Sequence, residues 1–419
     1  MVALFPGQGT QVAGAAGDLC ARFAEARRTY DEASEAIGFD LVAACDGGGS
    51  RADDTEVVQP GVVTHAVACW RIMRDEFGLE PGLLAGHSVG EIAALTCADA
   101  ISLGAAMDLI RHRAEAMAAC PPGAMMVIFG LPEQEAAEHC AVVSTPEHPV
   151  CIGLRNAPDQ VVISGDRAAL DQAAARCERA GGVVQRLKVS VAAHSPLMAA
   201  AVTAVAARLS QIEVADPSRP VISGATGVPY QTVREAEASL LAQMVGPVEW
   251  RAVTRAIAAA APRVSVELGA RGVLTKLLRR ELPAVHGLTA GRPEDLAQLG
   301  SAIAVWGDPS SGRPVSRDRT ASHLGALLRV LAGTPARVDL APDAFQDQVR
   351  RPYLTLAQQR ADVGAGPEWV PAATLADATS MAASVLAAKG FSATEIGAWL
   401  ASCAPSEDDA PVVGAGPRP

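Results

Sequence analysis

The sequence predicts an α/β fold in which a parallel sheet is covered by helices, a smaller domain is inserted, and a helical extension follows. Three observations carry this reading. Short apolar strands alternate with helical stretches along the first 290 residues. Two of them, "MVALFPGQGTQ" and "GLLAGHSVGEIAALTCADA", leave a strand through a glycine turn, the second entering an apolar helix. Between Gly123 and about Val189 the texture shifts to shorter, more polar elements in the order β-α-β-β-α-β.

Residues 1–122 open the large domain with those two strand–turn units. In the insert, residues 123–189, "AMMVIFGL" is strand-like, "PEQEAAEHCA" helical, "PVCIGLRNA" and "QVVISGD" strand-like, "RAALDQAAARCERAG" helical and "VVQRLKVSV" strand-like, the split βαβ unit of a ferredoxin-like domain. Residues 190–290 return to the large domain with the helical "HSPLMAAAVTAVAARLSQI", then "PVISGATGVPY" and "RVSVELGARGVLTKLLRR" as further sheet pieces with a closing helix. From 291 to 405 we expect a linker, read in "WGDPSSGRPVSRDRT", and helices in "ASHLGALLRVLAG", "LADATSMAASVLAAKG" and "SATEIGAWLASC". Residues 406–419 have the composition of a disordered tail.

Composition narrows the function. A chain of 419 residues, about half of them apolar, can bury a sizeable core or two, as a globular enzyme does. The net charge of −11, from 46 acidic against 35 basic residues, argues against nucleic acid or an anionic membrane as partner. Nine scattered cysteines show no C-x-x-C and no finger spacing, and no apolar run reaches membrane-spanning length. With no leading signal pattern, this reads as a cytoplasmic protein with reduced thiols, and the sequence carries no metal or organic-cofactor signature.

The chemistry centres on "AGHSVGE". Ser88 stands between Gly86 and Gly90 in G-x-S-x-G, after a strand and before a helix, where a sharp turn exposes a serine hydroxyl and tolerates no neighbouring side chains. Glu91 falls in the first helical turn, where a carboxylate suits the positive end of the helix dipole. A serine hydroxyl needs a base within hydrogen-bond reach and donors for the oxyanion. Of eight histidines, His65, His112, His139, His148, His286 and His323 have no distinctive neighbours, and His87, beside Ser88 in the turn, is expected to point elsewhere. His194, where "LKVSV" meets "HSPLM", can project from a strand end into a cleft. The N-terminal "PGQGTQ" fails both phosphate-loop templates, since no Gly-Lys-Ser/Thr follows and Val12 occupies the third glycine of G-x-G-x-x-G.

Taken in order, "FPGQGTQ", "GHSVGE", "RHRAEAM", "NAPDQVVISG", "AHSPLM", "GPVEW" and "VELGARGVLTKL" resemble the malonyl-coenzyme A:acyl carrier protein transacylases and the acyltransferase domains of polyketide synthases. The resemblance spans roughly the first 290 residues and implies an α/β-hydrolase-like large domain with a ferredoxin-like insert. It implies Ser88 as nucleophile, His194 as general base, and the backbone N–H groups of Gln8 and Val89 as oxyanion donors. A backbone carbonyl near Glu249 in "GPVEW" would steady the histidine. Arg113, with Met117 in Arg-x-x-x-Met, would hold a malonyl carboxylate through its planar fork, and Gln59 and Asn156 would line the pocket. The substrates implied are an acyl-coenzyme A and an acyl carrier protein bearing phosphopantetheine.

Ala193 stands where malonyl-selective members carry Phe and some bacterial ones Ser, which implies room for a substituted malonyl group, whereas Val89 is common in malonyl-type members. Gly246, Gly224 and Ala270 also depart from the family pattern. The segment "LGALLRVLAGTPARVDLAPDAFQDQVRRPYL" is similar to the linker after acyltransferase domains of modular synthases. An editing thioesterase, with water as acceptor, and an inactive scaffold are the alternatives. Lys276, Arg279 and Arg280 in "TKLLRRELP" form the candidate docking patch for an acidic carrier protein, or equally an ordinary basic helix C-terminus.

Overall fold

The computed structural model describes residues 1–47, 54–189, 191–307, 315–338, 340–365, 369–370 and 372–403. They fall into two compact units, 1–300 and 301–419, so the division lies some ten residues beyond the expected one.

In the first unit the chain runs through β1 (Val2–Phe5), α1 (Ala15–Arg22), α2 (Ala24–Ile37), α3 (Leu41–Asp46), α4 (Thr55–Phe77), β2 (Leu83–Gly86), α5 (Gly90–Cys97) and α6 (Leu103–Ala118). The insert follows as β3 (Ala124–Phe129), α7 (Glu133–Val143), β4 (Val150–Ala157), β5 (Gln160–Gly165), α8 (Arg167–Arg179) and β6 (Val183–Arg186). A 3-10 turn (Pro196–Met198) leads into α9 (Ala199–Leu209), and then come β7 (Val221–Ile222), α10 (Val233–Val245), α11 (Trp250–Ala259), β8 (Val264–Glu267), α12 (Val273–Glu281) and β9 (His286–Thr289), and α13 (Pro293–Gly307) begins in this unit.

The main sheet is wholly parallel, in the order β7-β2-β1-β8-β9. β1 reads as an unbroken apolar run because it is central and covered on both faces; Val2, Ala3, Leu4 and Phe5 are fully buried. Its register pairs Val2 with Leu83 and Phe5 with Gly86. The turns after β1 and β2, carrying Gln8 and Ser88, therefore leave the same edge side by side, at the carboxyl ends of the strands where open α/β sheets bind ligands.

The insert forms its own antiparallel sheet in the order β4-β5-β3-β6. Ile128, Ile152, Val161 and Ile163 pack under α7 and α8 against Ala136, Leu170 and Cys177. β6 ends at Arg186, earlier than the strand-like run to Val191 suggests; Leu187 N–H still donates to Met125 O at 3.0 Å, and the chain then leaves the sheet towards His194. β4 is sewn to the large lobe through Arg155 N–H to Val248 O and Val248 N–H to Gly153 O, both 2.9 Å. Arg155 pairs with Glu133 at 2.5 Å and Glu249 at 3.3 Å, and Arg251 pairs with Glu133 at 3.2 Å.

The second unit is helical: α14 (Arg317–Gly333), α15 (Pro342–Phe345), a π turn (Gln346–Arg350) running into α16 (Arg351–Ala365), α17 (Ala372–Ala388) and α18 (Ala393–Cys403), with a two-strand bridge of β10 (Val315–Ser316) and β11 (Trp369–Val370). Leu324, Leu327, Leu331, Leu356, Val385 and Leu386 form its core. Lys389 is buried because its ammonium caps α14, donating to Thr334 O at 2.6 Å and to Leu331 O. The expected linker "WGDPSSGRPVSRDRT" is shorter than it reads, since α13 extends to Gly307 and α14 starts at Arg317; residues 308–314 lie outside the described residues, as does the expected tail 406–419. All nine cysteines are free thiols, and no described helix is long and apolar enough to cross a membrane.

Candidate active site

Ser88 sits at the tip of the turn between β2 and α5 with φ of 55°, a left-handed conformation that costs a serine energy and persists only where the surroundings impose it. The two flanking glycines are that imposition. A Cβ on Gly86 would lie 2.3 Å from the Glu91 backbone, and one on Gly90 would lie 2.1 Å from Phe5 O. The helix thus starts hard against β1, and the Ser88 side chain is lifted off the sheet edge.

His194 also has a positive φ, 63°, and is 3 % exposed. Its Nε2 lies 2.8 Å from Ser88 Oγ. Its Nδ1 hydrogen-bonds Gln243 O, and its backbone N–H donates to Met244 O at 3.1 Å. Both carbonyls belong to the last turn of α10, where helix geometry leaves oxygens without intrahelical partners. With Nδ1–H given to a carbonyl, Nε2 carries the lone pair and accepts the serine proton. Burial, then the Arg113 charge, push the His194 pKa down to about 3, against the opposing Gln243 bond, so the resting imidazole is neutral. The carbonyl expected near Glu249 is therefore three residues upstream of Gly246, at Gln243. Glu249 itself starts α11, its N–H donating to Gly224 O at 2.7 Å and its carboxylate pairing with Arg155.

The backbone N–H groups of Gln8 and Val89 donate to no other group among the described residues. They stand in the adjacent turns after β1 and β2, on the same sheet edge as Ser88. Arg113, on α6 and 6 % exposed, donates to Gln59 Oε1; Gln59 Nε2 donates to Thr55 Oγ1 at 2.6 Å, and Thr55 Oγ1 donates to Gln8 Oε1 at 3.4 Å. One chain of hydrogen bonds thus links the guanidinium to the Gln8 turn. Desolvation alone moves the Arg113 pKa, down to about 10, the mark of a buried cation without a carboxylate partner. Ser88, Val89, Arg113 and Gln243 share a cleft whose other walls are the apolar Ile92, Leu109, Val205, Leu209 and Leu240.

Met117 is buried one turn beyond Arg113. Asn156 accepts from His87 Nε2 at 3.0 Å, and the His87 ring tilts over Trp250 with centroids 5.4 Å apart, so His87 does point away from Ser88. Ala193 leaves no side chain beyond a methyl beside His194, and its carbonyl accepts from Ser164 Oγ at 2.6 Å. Lys276 and Arg279 are exposed on α12, but Arg280 is engaged, donating to Gln160 Oε1 at 2.9 Å and pairing with Asp159. Arg280 is itself exposed, so all three side chains of the expected patch stay at the surface. Sequence reasoning missed Gln243, because a main-chain acceptor has no residue signature. Glu91 lies in the first turn of α5 as expected, and it is fully buried there.

A family model described as an acyl transferase domain matches residues 2–293. A malonyl CoA-acyl carrier protein transacylase of Bacillus subtilis is 33% identical over 300 residues, 71% of this chain and 75% of its own length. The transacylase of that name from Escherichia coli K12 is 33% identical over 308 residues, 72% of this chain and 98% of its own. Among solved structures, FabD from Acinetobacter baumannii matches with a TM-score of 0.70 at 33% identity, covering 73% of this chain and 98% of that one. A malonyl-transacylase in complex with a type II PKS acyl-carrier protein matches with a TM-score of 0.69 at 32% identity, covering 72% and 99%.

Proposed function

The chain belongs to the acyl transferase domain family, and from that premise we propose that it moves a malonyl-type acyl group from coenzyme A to the phosphopantetheine thiol of an acyl carrier protein, through an ester on Ser88. The observation that carries the mechanism is the 2.8 Å contact between Ser88 Oγ and the unprotonated Nε2 of a buried His194. His194 takes the Ser88 proton as Oγ attacks the thioester carbonyl; the tetrahedral oxyanion is held by the Gln8 and Val89 N–H groups. Collapse breaks the C–S bond, and the proton on Nε2 goes to the departing coenzyme A thiolate. The carrier's thiol then gives its proton to His194, attacks the ester carbonyl, and Ser88 recovers its hydrogen. The imidazolium of each step is stabilised by the α10 carbonyls at the negative end of the helix, in place of an acidic third residue.

Arg113 takes the free malonyl carboxylate, Gln59 orients that guanidinium, Met117 and Asn156 border the acyl pocket, and Ala193 leaves space beside the α-carbon. The strand order β4-β5-β3-β6 with two helices on one face supports a ferredoxin-like small lobe, and the parallel sheet with its serine turn supports an α/β-hydrolase-like large lobe. We read the protein as cytoplasmic, as needing neither metal nor organic cofactor, and as serving polyketide or fatty acid biosynthesis.

Incubation with malonyl-, methylmalonyl- or acetyl-coenzyme A followed by intact mass measurement tests this. A mass increase equal to the acyl group, absent in Ser88→Ala, is expected with malonyl-coenzyme A. No adduct with any donor would overturn the reading, and release of free acid in place of transfer to carrier protein would favour the editing hydrolase.

A further inference from the structure

Glu91 is a buried acid that this mechanism leaves without a task. It lies in the first turn of α5, three residues after the nucleophile, with no exposed surface, and no cation among the described residues bonds its carboxylate. Three donors from two distant segments converge on it instead. Oε2 accepts from Gly224 N–H at 3.0 Å and from Gln243 Nε2 at 2.8 Å, while Oε1 accepts from Ser239 Oγ at 3.1 Å. Ser239 Oγ in turn lies 2.7 Å from Ser223 Oγ, which accepts from the N–H groups of Ala225 and Thr226. A Cβ at position 224 would sit 2.5 Å from Glu91 Oε2, so a side chain there would press on the carboxylate that this main-chain donor holds.

The residue reached by the 2.8 Å bond decides the meaning of the cluster. Gln243 supplies, from its main chain, the carbonyl that holds His194 Nδ1. Its side-chain amide donates to Glu91, while Gln243 Oε1 is buried with no partner among the described residues. Hydrogen bonds consequently close a ring: Ser88 to His194, His194 to Gln243, Gln243 to Glu91, and Glu91 back to Ser88 through its own N–H to Ser88 O at 3.0 Å.

We propose that Glu91 is a positioning residue for the acyl-transfer reaction, fixing the end of α10 through the Gln243 amide so that the Gln243 carbonyl presents His194 to Ser88. This rests on the acyltransferase reading of the same site. Either protonation state can serve, because a protonated Oε1 can donate to Ser239 Oγ in place of accepting from it. A glutamine at 91 makes the same substitution of donor for acceptor, whereas a methionine offers only a weak thioether acceptor.

The test compares Glu91→Gln, Glu91→Met, Gln243→Met and the double variant Glu91→Met/Gln243→Met in malonyl transfer from malonyl-coenzyme A to a carrier protein, after the parent has been shown to form its Ser88 adduct. Glu91→Gln should keep kcat within about threefold of the parent. Each methionine variant should lose at least tenfold in kcat with KM for malonyl-coenzyme A held within about threefold, and the double variant should be no more than about twofold worse than the slower single, since both sever one link. Parent-like kcat in Gln243→Met or Glu91→Met, a loss in Glu91→Gln as large as in Glu91→Met, or losses that multiply in the double variant would overturn the proposal. If Glu91→Met does not fold, Gln243→Met against the parent decides alone. Failure of the parent to form an adduct would instead sink the acyltransferase reading.

Discussion

Removing the guanidinium in Arg113→Ala gives the sharpest quantitative prediction. In the free protein Arg113 is 6 % exposed, and burial lowers its pKa from 12.5 to about 10. That fall corresponds to roughly 3 kcal/mol of unfavourable desolvation, which a substrate carboxylate relieves on binding. Leaving one member of a buried charged pair without its partner independently costs about 2–5 kcal/mol. Both routes converge near 3 kcal/mol, a factor of about 100 in specificity. An acetyl group has no carboxylate and gains nothing from the cation. Competition between malonyl- and acetyl-coenzyme A, read as the ratio of kcat/KM for acylating Ser88, should therefore fall about 100-fold in Arg113→Ala, mainly by loss of malonyl loading, with acetyl loading kept or raised. Arg113→Lys should recover only part of the ratio, because an ammonium cannot make two parallel bonds and is not matched to Gln59 Oε1. An unchanged ratio in Arg113→Ala would refute the carboxylate role outright.

Other predictions concern the scaffold around the site. Gly90→Ala drives a Cβ into Phe5 O and Pro6 O, main-chain atoms of the central strand's end, and should destabilise the protein by about 3 kcal/mol or more, seen as a large drop in melting temperature; an unchanged melting temperature would contradict the tight turn. Burial raises the Glu91 pKa from 4.5 to about 7, so the folded state binds the extra proton between those values and loses stability as pH rises through them. Glu91→Gln should therefore gain on the parent by on the order of 3 kcal/mol between pH 4.5 and 7 and keep that advantage above, as thermal unfolding across pH would reveal. Ala193→Phe should lower the methylmalonyl-to-malonyl loading ratio by filling the space beside His194, and equal ratios would mean the selectivity lies elsewhere. Charge reversal at Lys276 and Arg279 should raise the apparent KM for carrier protein while leaving that for malonyl-coenzyme A unchanged; no change in either would remove α12 from the docking face.

What could be read beforehand divides by the kind of information each feature needs. The serine turn was legible because steric demand leaves a trace in residue type: only glycine fits at 86 and 90. The insert was legible because alternating and helical periodicities change within seventy residues, and its six elements occur in the expected order. β6 read too long because Leu187, Val189 and Val191 stay apolar after leaving the sheet; the first two join Ala193 against Met125 and Val127 on its inner face, and Val191 is itself buried. The support of His194 was displaced from Glu249 to Gln243 because any residue can supply a carbonyl oxygen, and only the helix end that leaves it unpaired identifies it. The place of Glu91 was legible and its burial was not. A carboxylate in a first helical turn suits an exposed helix end and a buried donor cluster equally, and tertiary packing alone distinguishes them.

Gripping the histidine by the peptide oxygen of residue 243 has an evolutionary corollary. No side-chain replacement there can erase that acceptor, so a codon-by-codon scan would register the support only through what the lost amide lets drift. Its true vulnerability is to changes in length and direction: a residue inserted or removed between 243 and 246 would swing the oxygen away while every named catalytic group remained in the sequence.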